Sequence, residues 1–79
     1  MYQIKDSITV YNFHLPDVLD ISPMLSVHDE IIKKQKYCFR ITLRLTIIKL
    51  YFYDKEQAHH EFEKLKTALR LDSEGVINE

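Results

Sequence analysis

Tyr37-Cys38-Phe39-Arg40-Ile41-Thr42-Leu43-Arg44, then Ile47-Ile48-Lys49-Leu50-Tyr51-Phe52-Tyr53, then Asp54-Lys55-Glu56-Gln57-Ala58 decide the fold. In the first run Tyr37, Phe39, Ile41 and Leu43 alternate with Cys38, Arg40, Thr42 and Arg44. Successive strand residues point to opposite faces, so this is a strand with one apolar side. In the second run Ile48, Leu50 and Phe52 form the apolar face. The apolar phase changes between Leu45 and Ile48. That change predicts a turn at Leu45-Thr46, setting Leu43 against Ile48, Ile41 against Leu50 and Phe39 against Phe52. Arg40 then faces Tyr51. Neither turn residue is Gly or Asn, which two-residue hairpin turns favour, so a longer turn or a bulged continuous strand is the alternative.

The third run reads as a helix. Asp54 suits an N-cap, with Gln57 completing a partial capping box. Ala58, Phe62, Leu65 and Leu69 fall on one helical stripe. The residues expected to form one shared core are Phe39, Ile41, Leu43, Ile48, Leu50, Phe52, Ala58, Phe62, Leu65 and Leu69. From Asp72 onward the chain reads as a flexible polar tail, giving a single domain over residues 1–71 and a tail over residues 72–79.

Upstream the signals are weaker. Tyr2, Ile4, Ile8, Val10, Tyr11 and Phe13 predict one or two short strands broken near Asp6-Ser7. Pro16-Asp17 is turn chemistry, and Pro23 argues against a central strand at that point. The segment over residues 24–33 reads as strand or helix, with strand preferred and Lys34-Gln35-Lys36 as the turn into Tyr37. The expected fold is therefore α+β: an antiparallel sheet of about four or five strands packed on one C-terminal helix, in two layers.

Seventy-nine residues with 46% apolar and 29% charged content make one folded domain with a thin core. Association would add the burial it lacks. A net charge of −1 gives no whole-chain attraction to nucleic acid or anionic lipid. The lone Cys38 cannot form an internal disulfide. No run approaches the roughly 18 apolar residues of a membrane span, so a cytoplasmic protein is expected.

Catalytic motifs are absent from the sequence. His59-His60-Glu61 suggests a zinc-protease helix, but one turn on from His60 stands Lys64, a cation that cannot ligate. His59 and His60 point about 100° apart. Cys38 has no assignable base, and the single Gly75 excludes Gly-rich phosphate loops. No enzyme activity, cofactor or metal is expected. The candidate interaction face is the outer side of the hairpin: Arg40, Thr42, Arg44, Lys49, Tyr51 and Tyr53. Basic residues interleaved with aromatic rings suit a protein interface, including a homodimer, or single-stranded nucleic acid. The slightly negative chain favours the protein partner.

The segment from Arg40 to Leu69, under half of the chain, resembles the C-terminal part of pleckstrin-homology-like domains. In both, an apolar-faced hairpin ends in a strand, here Ile48-Lys49-Leu50-Tyr51-Phe52-Tyr53. It passes through a short acidic turn, Asp54-Lys55-Glu56, into a closing helix from Ala58 to Leu69. Similar endings occur in small uncharacterised bacterial and phage proteins. The resemblance implies a closing helix over a sheet. In that family phosphoinositide binding uses basic residues of the first hairpin, and no such cluster stands near this N-terminus, so lipid binding does not carry over.

Overall fold

The computed structural model describes residues 1–77, with side chains described for residues 1–72. Six strands precede one helix: β1 Tyr2–Lys5, β2 Val10–Phe13, β3 Val18–Ile21, β4 Leu25–Asp29, β5 Lys34–Leu43, β6 Ile47–Phe52 and α1 Lys55–Ile77. The expected α+β class with a single C-terminal helix is what the chain adopts. The strands divide between two antiparallel sheets, a β1–β2 hairpin and a four-stranded sheet centred on β5.

β5 is long enough to serve three partners. Its C-terminal half pairs with β3 (Val18 with Leu43, Ile21 with Ile41) and its N-terminal half with β4 (Leu25 with Cys38, Asp29 with Lys34). Its other edge pairs with β6. β3 and β4 thus lie end to end along one edge, separated at Ser22-Pro23-Met24, where proline cannot donate to a ladder. Pro16 opens a 3-10 turn over Leu15–Asp17, so that segment is a turn followed by a short strand.

Two local expectations are corrected. The turn between β5 and β6 falls at Arg44-Leu45: the Leu43 N–H donates to the Thr46 carbonyl at 2.8 Å. Phe39 therefore pairs with Leu50 and Ile41 with Ile48, two residues away from the predicted register. Arg44 is held there from outside the hairpin, since its N–H donates to the Asp17 carbonyl and its guanidinium lies 3.5 Å from the Asp17 carboxylate. The strand within residues 24–33 is Leu25–Asp29, and the turn lies at Glu30–Lys33 instead of Lys34-Gln35-Lys36. Asp29 starts this turn by accepting from the Ile31 and Ile32 N–H groups, and Lys33 takes a left-handed φ of 59°. α1 spans Lys55–Ile77, and residues 78–79 of the expected tail lie outside the described residues.

The helix begins as expected, with the Asp54 carboxylate accepting from the Glu56 N–H and the Asp54 carbonyl from the Ala58 N–H. Ala58 and Leu65 are buried against Phe39, Ile41, Ile48, Leu50 and Phe52, with Phe62 and Leu69 half-buried beside them. Phe62 meets Phe39 edge-on at 4.9 Å, and Phe39 stacks on Phe52 at 5.9 Å. Ile4 and Phe13 of the first hairpin complete the core.

Asp6 joins the hairpin to the main sheet. It is only 2% exposed. One carboxylate oxygen accepts from the Ile8 and Thr9 N–H groups, which closes the β1–β2 turn. The other accepts from the Tyr51 N–H on β6. Beside it, the Ser7 N–H donates to the Tyr51 carbonyl and the Tyr53 N–H donates to Ser7 Oγ. The Tyr51–Tyr53 end of the β6 edge is thereby covered by a turn, which satisfies groups that a bare strand edge leaves open.

Candidate functional site on the outer sheet face

Strand alternation and the observed registers define the face opposite α1. On β5 it carries Lys34, Lys36, Cys38, Arg40 and Thr42; on β6, Ile47, Lys49 and Tyr51; on β4, Leu25, Val27 and Asp29. Of the six expected residues, Arg40, Thr42, Lys49 and Tyr51 belong to this face. Tyr53 lies just past the end of β6, and Arg44 sits in the turn at the opposite end, turned toward Asp17. Four of the six therefore share the face, with Tyr53 and Arg44 at its opposite ends.

The two-residue shift changes the neighbours. Arg40 lies opposite Lys49, and Tyr51 lies opposite Cys38. The cation over the Tyr51 ring is Lys36, 5.1 Å from its centroid, and not Arg40 as the predicted register required. Lys36 is also 4.0 Å from the Asp29 carboxylate. One row crosses three strands: Leu25, Cys38 and Tyr51. It is mainly apolar, bounded by Lys36 on one side and by Arg40 and Lys49 on the other. A shallow groove of about 320 Å³ lies along it, with Ser22 and Pro23 also in its lining.

Leu25, Val27 and Lys36 are among the members of this face that the sequence reading did not select. The signal was present: Leu25 and Val27 alternate with Ser26 and His28. That period marks a strand and places both on the side that Cys38 and Lys36 occupy.

Cys38 is half-buried, with Leu25 and Tyr51 as its cross-strand neighbours, neither of which is a base. His59 and His60 are exposed on α1. Among the described residues no three His, Cys, Asp or Glu side chains gather at metal-binding distance. No helix of the described residues is long and apolar enough to cross a membrane.

Away from this face, Tyr2 packs on Phe13 at 5.5 Å, and its hydroxyl is buried with no hydrogen-bond partner among the described residues. Burial raises its pKa above the ordinary tyrosine value, and the Glu61 carboxylate adds to the rise.

No protein-family model matches this chain, nor does any curated protein or solved structure.

Proposed function

We propose that this chain is a non-enzymatic protein-interaction and assembly module that buries the outer face of its sheet against another protein, a second copy included. The observation that carries this reading is the Leu25–Cys38–Tyr51 row, an apolar strip between cations on a face that α1 does not cover. Such a strip has the makings of an interface: an aromatic anchor and small apolar neighbours, with charges at the rim. Light scattering over a range of concentrations tests it. Tyr51→Ala and Arg40→Glu are expected to shift assembled protein toward monomer while the circular dichroism spectrum stays unchanged. A size distribution indifferent to both substitutions would contradict the reading.

A second reading, single-stranded nucleic acid, is favoured by Lys34, Lys36, Arg40 and Lys49 sharing a face with Tyr51. It is the weaker of the two, because Lys36 occupies the ring face on which a base would stack. Binding of short oligonucleotides that falls steeply with salt, and is weakened by Arg40→Glu, would favour it over the protein interface.

A further inference from the structure

We infer that two copies of this chain pair through the free edge of β4, antiparallel and centred on Val27. The pairing goes beyond the face reading: it names a second copy as partner and places the contact on a strand edge, leaving the outer face open.

The backbone of β5 sets which groups of β4 are free. The Ser22 N–H donates to the Arg40 carbonyl at 2.9 Å and the Arg40 N–H donates to Ser22 Oγ at 2.8 Å. Even-numbered residues of β5 therefore direct their backbone groups toward β3 and β4. Opposite them stand Leu25, Val27 and Asp29, whose N–H and C=O groups turn inward to β5. Those of Ser26 and His28 turn outward. Among the described residues no hydrogen bond reaches these outward groups. The other strands at the edges of the main sheet are handled differently. β6 is capped at its Tyr51–Tyr53 end by Asp6 and Ser7, and β3 is broken by a bulge at Leu19 and followed by Pro23. Bulges, proline and covering turns are the devices that keep strand edges from pairing. β4 carries none of them along its length.

The edge is self-complementary in one register. Only the pairing of Leu25 with Asp29 of the second copy keeps every residue of both strands matched. It sets Ser26 against His28 on each side of the axis, so outward groups meet outward groups and each pair exchanges two hydrogen bonds. Val27 meets Val27 at the axis in a non-hydrogen-bonded pair, where side chains approach most closely. No like charges are apposed, and Asp29 already has the Lys36 ammonium beside it.

Leu25 and Val27, 57% and 47% exposed, then join across the axis into one strip continuous with both Tyr51 rows. The same register carries the hairpin tip, where Ile31 is 92% exposed, past the start of β4 toward Pro23 of the second copy. A short strand pair buries less than the roughly 1,200 Å² of a standard interface, so the expected dimer forms in the micromolar range.

The test is the size of the full chain by light scattering, from low micromolar to near-millimolar concentration. The wild type is expected to dimerise. Val27→Lys, which sets the two introduced ammonium groups against each other across the axis, is expected to weaken the dimer about tenfold or more. In a Cys38→Ser background, Val27→Cys is expected to give a disulfide-linked dimer under mild oxidation. The Cα separation of about 4.5 Å in such a pair lies within the roughly 4.4–6.8 Å that a disulfide spans. Ser26→Cys in that background, facing His28, is expected to stay uncrosslinked. A wild type that is monomeric throughout, or a Val27→Lys chain that dimerises as tightly as wild type, would overturn the pairing. If Tyr51→Ala dissolves the dimer and Val27→Lys does not, edge pairing fails and the face reading stands. The reverse result supports edge pairing and leaves the outer face with no part in self-association.

Discussion

Asp6 shows how much one side chain carries in a domain with so thin a core. It accepts from three backbone N–H groups, two in its own turn and one on β6. Hydrogen bonds to a charged acceptor contribute about 1.5–3 kcal/mol each, and removing the acceptor leaves buried donors unsatisfied. Asp6→Ala is therefore expected to cost roughly 3–5 kcal/mol in denaturant melts. That is a large fraction of the total for a small domain. A loss below about 1 kcal/mol would mean that the first hairpin is not tied to β6 as described. The sequence placed a break at Asp6-Ser7 but could not reveal this role, because the Tyr51 N–H is distant in the chain and joins the site only after folding.

Tyr2 is the opposite case, a buried polar atom that adds no bond. Tyr2→Phe removes an unpartnered hydroxyl, so stability at neutral pH is expected to stay level or rise by up to about 1 kcal/mol. Its pH dependence has a definite sign. The folded pKa lies above the unfolded value of about 10, so the unfolded chain ionises first and stability falls as pH rises from about 10 toward the folded pKa. Tyr2→Phe should flatten that alkaline decline. Parallel melts above and below pH 10 check it, and an unchanged slope would show that the phenol is not held in an apolar site.

At the scale of elements, α1 holds the main sheet through a narrow stripe. Leu65 is fully buried, whereas Phe62 is only half-buried and meets Phe39 edge-on. Leu65→Ala is expected to cost about 3 kcal/mol and Phe62→Ala about 2 kcal/mol, below the roughly 3–5 kcal/mol of a fully enclosed phenylalanine. Equilibrium urea unfolding of the two variants checks the order, and a larger loss for Phe62→Ala would misplace the helix. This stripe, the Asp54 cap and both β5 and β6 were legible in the sequence because long periodic runs carry their own evidence. Register was not. Shifting β5 against β6 by two residues keeps every apolar residue on the same face, so the hydrophobic pattern does not distinguish the two pairings. Arg44 and Asp17 break the tie, and that contact joins segments far apart in sequence. The loss of register is why the sequence sets Arg40 against Tyr51; Lys36 escapes because Lys34-Gln35-Lys36 reads as a turn, whereas β5 begins at Lys34. Leu25 to Asp29 was obscured for another reason, since Ser26 and Asp29 are as suitable for caps and turns as for an edge strand.

The whole molecule is drawn out, measuring 50 × 24 × 18 Å with a radius of gyration of 13.6 Å. A compact chain of this length has about 11.6 Å. β4 lies outside the core: its residues are exposed except Asp29, and none belongs to the core cluster. On this view its free edge meets a second copy, and the two outer faces become one longer surface with basic rims. Amide hydrogen exchange at Ser26 and His28, followed by NMR as a function of protein concentration, tests this most directly. Their N–H groups point away from β5, so they should exchange quickly in dilute protein and become protected together as the dimer forms. Leu25 and Val27, already bonded to β5, should change far less. Rates at Ser26 and His28 that stay the same from the most dilute to the most concentrated sample would contradict the account.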